Sequence, residues 1–132
     1  MKNKIIYTNQ VDIEEIKRNI YQNKDIFLVE INGKECNNLS EYLNDISSKL
    51  FFPTIAKGFD VYDDWMTDLS WLNKDNIIII VNNYTDFLRQ DLPAKKKIIE
   101  IFEKSIFPWW EAEVCNCVID GKSKSFIVYF LD

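Results

Sequence analysis

Asn76-Ile77-Ile78-Ile79-Ile80-Val81 is the stretch whose reading decides the fold. Four isoleucines and a valine in succession leave neither face of a strand polar. Such a run is the mark of a central parallel strand covered on both sides. On either side of it the chain alternates between strand and helix patterns. Ile26 to Ile31 reads as a short apolar strand closed by an Asn32-Gly33 turn. Phe126 to Leu131 reads as a final strand, preceded by the turn signal Asp120-Gly121.

The helices fall between these strands. Leu39 to Phe51 carries a buried stripe of Leu39, Tyr42, Leu43, Ile46 and Leu50, with Asn38 or Ser40 as its N-cap. Pro53 to Lys57 is a loop, and Tyr84 to Arg89 fits a short helical turn. Pro93 suits a helix start, and Ile98, Ile99, Ile101 and Phe102 form the apolar face that follows. Trp109 to Ile119 is ambiguous, with a strand expected at its end. Near the N-terminus, Val11, Ile13, Ile16 and Ile20 mark an amphipathic helix over Val11 to Gln22. Its acidic first turn (Asp12, Glu14, Glu15) and later Lys17 and Arg18 suit the helix dipole. A short strand is expected before it, near Ile5 to Thr8. The pattern predicts one α/β domain over residues 1–132, a small, mainly parallel sheet of three core strands covered by helices, with residues 1–24 as an N-terminal extension.

Composition narrows the function. The 132 residues are 47% hydrophobic and 14% aromatic, which argues for a folded globule and not a disordered chain. A formal net charge of -5 disfavours nucleic-acid binding and favours a basic partner. No apolar run approaches a membrane span, and the first ten residues are too briefly apolar for a signal peptide, so a cytoplasmic protein is expected. Histidine is absent, which removes the commonest general acid-base group and the Ser-His and Cys-His nucleophile pairs. Cys36, Cys115 and Cys117 are expected as reduced thiols. Cys115 and Cys117 would share one face of a strand, but a zinc site needs two more ligands, so a packing role is expected. Trp109-Trp110 fits either an exposed binding patch or a core or subunit contact. Lys95-Lys96-Lys97 reads as a solvated helix face.

The chemistry concentrates in Gly58-Phe59-Asp60-Val61-Tyr62-Asp63-Asp64-Trp65-Met66-Thr67-Asp68-Leu69-Ser70-Trp71-Leu72, which holds four Asp and no Lys or Arg. Read as a helix, Phe59, Tyr62, Trp65, Met66 and Leu69 share an apolar face. Asp60, Asp64 and Asp68 then follow one another turn by turn on another side. Like charges four apart cost a helix roughly a few tenths of a kcal/mol per pair. A sequence chosen only for folding would intersperse Lys. Such a ridge suits docking into a basic cleft, although on the residues alone a solvated face is the plainer reading. Asp60, Asp63, Asp64 and Asp68 could instead bind Mg²⁺ or Ca²⁺, but neither an EF-hand loop nor a Gly-rich phosphate loop accompanies them. Hydrolysis by a carboxylate pair would need a further acid-base group.

These residues resemble the second helix of the barstar family, whose members read aromatic-Asp-Ala-Leu-x-Asp-Cys-Leu-x-Asp-Leu followed by Trp. Phe27-Leu28-Val29-Glu30-Ile31-Asn32-Gly33-Lys34 resembles the family's first strand and turn, and Asn38-Leu39-Ser40-Glu41-Tyr42-Leu43 the start of its first helix. Phe52-Pro53 resembles its Pro-containing loop, Ile77 to Val81 its central strand, Lys97 to Lys104 its third helix and Phe126 to Leu131 its last strand. The resemblance runs in family order from about Asp25 to Asp132. It implies a barstar-like fold and an intracellular inhibitor, or immunity protein, without enzymatic activity and without cofactor or metal. The partner implied is a basic secreted ribonuclease or related toxin, whose Arg, Lys and His groups meet the acidic helix. Asp60 and Asp64 match the family's two contact aspartates. Asp63, Asp68 and the loop residues Thr54, Ile55, Lys57 and Gly58 would surround them. A monomer that touches neither nucleic acid nor membrane is expected. The alternative is an interaction module of this fold with a non-nuclease partner.

This chain departs from the family in three places. Asp63 stands where the family often has an aromatic, the loop before the helix is one residue shorter, and Lys104 aligns with a third-helix Glu. Cys36 aligns with a buried aliphatic and is expected as a small core residue.

Overall fold

Four strands, β1 (Lys4–Thr8), β2 (Ile26–Asn32), β3 (Asn76–Asn82) and β4 (Ser125–Leu131), make one wholly parallel sheet in the order β1-β4-β3-β2. The architecture is that of a computed structural model, which describes residues 3–23 and 25–132. Met1, Lys2 and Lys24, and the side chain of Val11 expected in the first helix's stripe, lie outside that description. The isoleucine run is interior, with Ile77 beside Phe126 on one flank and Phe27 on the other. Ile77, Ile79, Ile80 and Val81 are buried, so both faces of the strand are covered.

The two faces are covered by different parts of the chain. Val29, Ile31, Ile77, Ile79, Val81, Phe126, Val128 and Phe130 face the main core. Helices α2 (Leu39–Lys49), α3 (Phe59–Met66) and α4 (Leu92–Ile101) pack there. Ile80, Tyr129 and Leu131 point to the other face, where Ile13 and Ile16 of α1 (Gln10–Tyr21) cover them. The crossover from β1 to β2 passes β4 and β3 on α1's side. The crossovers β2 to β3 and β3 to β4 step back the opposite way on the opposite side, so all three have the same hand. The N-terminal extension is thus built into the fold: β1 adds a fourth strand beside β4, and α1 is the second face's cover.

Local chemistry fixes the ends of these elements. Asn38 is the N-cap of α2, its side chain accepting from the Glu41 amide at 2.9 Å. Asp91 caps α4 by accepting from Ala94 N, with Pro93 in the first turn. Gly33 follows β2, and a Cβ there would collide with the carbonyls of Asn82 and Asn83, so only glycine lets β2 and β3 end side by side. Cys36 is fully buried, and burial pushes its thiol up to about 12.

The segment after α4 differs from expectation. Residues 92–117 are helical throughout, passing through two wide-turn π segments, Phe102–Ile106 and Trp109–Glu113, into α5 (Val114–Cys117). No strand forms at the end of Trp109 to Ile119. Pro108 supplies the reason for the wide turn: its nitrogen cannot donate and its ring would strike the preceding turn, which a local π bulge relieves. Cys115 and Cys117 therefore sit on a helical turn, both exposed, and do not pack as strand neighbours. Lys95 is likewise not merely solvated: its Nζ donates to the Tyr84 carbonyl at 2.9 Å and lies 4.1 Å from the Tyr84 ring centre.

Candidate functional site

Helix α3 is a short element held firmly from below. Tyr62 and Met66 are fully buried. The Tyr62 hydroxyl shares a 2.7 Å hydrogen bond with Tyr42 of α2, and its ring meets those of Tyr42 and Phe102 edge-on. Burial pushes both phenols above their ordinary range. The Met66 carbonyl accepts from Trp110 Nε1 at 2.8 Å. Trp65 packs edge-on against Trp71, whose indole donates to the Leu50 carbonyl at 2.8 Å. Tyr42, Trp71 and Trp110 thus fix the helix on three sides.

The upper side is acidic and open. Asp60 and Asp64 are exposed and lie one turn apart, with Val61 beside them at 39% exposure. Among the described residues neither carboxylate has an ion-pair partner. With no such partner among the described residues, their field is directed at solvent.

Asp63 and Asp68 are placed differently from Asp60 and Asp64. Asp63 is half-buried and accepts a 2.7 Å hydrogen bond from the Ser105 hydroxyl on the long C-terminal helix. Asp68 does not continue the ridge, because α3 ends at Met66. Thr67 turns its hydroxyl back onto the Asp63 carbonyl at 2.8 Å, and Leu69 takes a left-handed φ of 48° with its side chain buried. Asp68 then accepts from the Ser70 amide at 3.2 Å, a local turn. A further acidic turn would also have faced the negative end of the helix dipole. The expected apolar face is kept, but Leu69 reaches it from the turn and not from the helix.

The loop before α3 rests on one anchor. Ala56 is buried, and its amide donates to Ser47 Oγ of α2 at 3.0 Å. Thr54, Ile55 and Lys57 on either side are exposed, Ile55 at 55%. Gly58 caps α3 in extended conformation, makes no side-chain cap, and has open space where a Cβ would project. Its fold does not require glycine. Ile55, Ala56 and Lys57 meet Leu39 and Leu43 around a cleft of about 510 Å³ beside the acidic helix.

Sequence reasoning missed Ser47, Ser105 and the Leu39–Leu43 wall of this cleft. Ser105 lies 42 positions from Asp63, so no local pattern could have paired them. Lys104, aligned with a family Glu, is exposed and sits 3.4 Å from Glu100. Among the described residues no three Cys, Asp or Glu converge as a metal site would require, and no helix is long and apolar enough to cross a membrane. A family model described as Barstar (barnase inhibitor) matches residues 26–121. Neither a curated protein nor a solved structure gives a significant match.

Proposed function

Because the chain belongs to the barstar family, we propose that it is an immunity protein that blocks a basic ribonuclease, or a related toxin, by seating α3 in its active site. The observation that carries this reading is the pair Asp60 and Asp64: exposed, uncompensated, and fixed one turn apart on a helix anchored from below. A site that binds RNA phosphate is lined with cations. Two preset carboxylates meet such cations without losing side-chain freedom on the scale a loop would lose. Opposite fields steer the encounter, and charge pairs desolvated at the interface centre then dominate its energy.

The mechanism is occlusion, with no bond made or broken. Asp60 and Asp64 enter the nuclease site. Thr54, Ile55, Lys57 and Gly58 form the rim, Gly58 giving the partner's backbone room to approach. Asp63 supports the helix through Ser105, and Asp68 stands at the periphery. With Asp63 turned inward and Lys104 where the family carries Glu, the partner's surface differs from that of the prototype nuclease.

The test is made with the basic partner recovered from the native cell by pull-down. RNA cleavage and binding kinetics are measured with wild type, Asp60→Ala, Asp64→Ala and, as a control for overall charge, Glu14→Ala. Each Asp variant is expected to weaken binding by more than about 1 kcal/mol, since it strands a buried cation. Glu14→Ala should behave as wild type. If both Asp variants stay folded and inhibit fully, the acidic helix is a solvated face only. A tight partner without nuclease activity would favour the interaction-module reading.

A further inference from the structure

The two edges of the sheet are unlike. At the β2 edge Lys49 reaches over to donate to the Glu30 carbonyl at 2.7 Å, and Glu30 itself pairs with Lys17 at 2.5 Å. A lysine laid on an edge carbonyl is a common guard against further pairing. Among the described residues no lysine is laid on a β1 carbonyl in this way. Among the described residues nothing pairs with its outer side. It is nonetheless rigid: the Asn3 side chain accepts from Phe126 N at 2.8 Å and donates to the Phe107 carbonyl at 3.2 Å, and the Asn3 amide donates to Glu111 at 2.7 Å.

Apolar surface also remains uncovered there. Ile5 is only part-buried and Tyr7 is 64% exposed, though its ring already packs edge-on against Phe130 and Tyr84. Both residues face a cavity of about 430 Å³ whose far wall is Phe107 and Pro108, with Glu103 and Glu111 at its rim.

We propose that β1 is the interface of a homodimer, in which two copies pair antiparallel about Ile6 to make one eight-stranded sheet. The strand's own order of residues favours a second copy. A two-fold axis at Ile6 sets Tyr7 of each copy opposite Ile5 of the other, on the face where the cavity opens. An aromatic against a β-branched residue is a favourable cross-strand pair. The single charge of the strand, Lys4, falls opposite Thr8, so no like charges meet. The arrangement closes on itself, and the two outer edges left are both the Lys49-guarded β2. No residue of α3 lines that cavity, so the pairing is compatible with the inhibitory reading and does not depend on it. The sequence favoured a monomer, and the proposal departs from that expectation.

Sedimentation of wild type over roughly 10 to 1000 µM, the span suited to an interface at the small end of the biological range, is expected to show a reversible shift from one to two copies. Tyr7→Lys, which places a charge on the edge, should remain a single copy throughout while keeping the wild-type circular dichroism spectrum. Ile6→Cys in a Cys115→Ser, Cys117→Ser background puts two thiols at the axis, and mild oxidation should convert most of the chain to a covalent dimer. That trapping decides the matter even if Tyr7→Lys folds poorly. A wild type of one copy at every concentration overturns the proposal, as does a dimer in which the axis thiols do not cross-link. A monomer whose β1 amides become protected only on adding a basic extended peptide would assign the edge to another partner and also overturn it.

Discussion

Ser105 donates its hydroxyl to Asp63 at 2.7 Å, and this separates Asp63 from its neighbours Asp60 and Asp64. One carboxylate of the acidic helix is a strut, and among the described residues the other two have no ion-pair partner. A half-buried hydrogen bond to a charged acceptor contributes more than a neutral one. Asp63→Ala is therefore expected to lower unfolding free energy by about 1–2 kcal/mol, and Ser105→Ala by a similar amount, with the double variant far from additive. Asp64→Ala should change stability by less than about 0.5 kcal/mol, since it removes only exposed like-charge repulsion. Urea titrations of the four variants check this. Equal losses at Asp63 and Asp64 would remove the distinction.

The Tyr42–Tyr62 pair yields a second expectation. Removing one hydroxyl orphans the other in a fully buried place, so Tyr42→Phe or Tyr62→Phe should each cost about 1–3 kcal/mol. The double Phe variant should lie closer to wild type than the sum of the two. The pair also sets an alkaline limit. Burial holds both phenols protonated in the folded chain at a pH where the unfolded chain's phenols ionise, from about 10 upward. The unfolded state then binds fewer protons, so stability is whole below about pH 10 and falls as pH rises above it. The double Phe variant should show a shallower fall between about pH 10 and 12. A slope unchanged from wild type would mean that these phenols do not govern it.

Truncation tests the N-terminal extension. Residues 25–132 alone would expose Ile80, Tyr129 and Leu131 to water, together with the half-buried Leu28, Ile78 and Ile127. That fragment is expected to aggregate or to lack a cooperative thermal transition. A milder version is Ile13→Ala, a fully buried position, which should cost about 2–4 kcal/mol. A fragment that melts like the full chain would show the second face to be tolerant of water.

Phe51 occupies the left-handed position that ends α2, with a φ of 55°. The Phe52 amide reaches the Ser47 carbonyl at 2.9 Å and the Phe51 amide the Ser48 carbonyl at 3.3 Å, which is the paired-bond helix ending that glycine favours. An exposed aromatic there is strained, and its edge-on contact with Phe27 at 6.2 Å offsets this only in part. Phe51→Gly is expected to raise stability by about 0.5–1 kcal/mol, read from the denaturation midpoint. A loss would show that the Phe27 contact outweighs the backbone strain.

Signals carried by neighbours in the chain were legible without any structure. The isoleucine run declared a covered interior strand because it has no polar face. Asn38, read with Ser40 as a cap candidate, and Pro93 declared helix starts because such signals act over three or four residues, whereas the Asp91 cap appeared only in the structure. The crowd of Asp at 60–68 declared an acidic surface, since Gly58 to Leu72 holds no Lys or Arg. Tertiary structure alone decided the rest. That Asp63 is a strut depends on a hydroxyl 42 positions away. That α3 stops at Met66 depends on Leu69 being drawn into the core at a positive φ, which a helical repeat does not foresee. That β1 lies beside β4 joins opposite ends of the chain, and periodicity within either end is blind to it. Patterning reports how each segment meets water; which segment meets which is settled only when the whole core is packed.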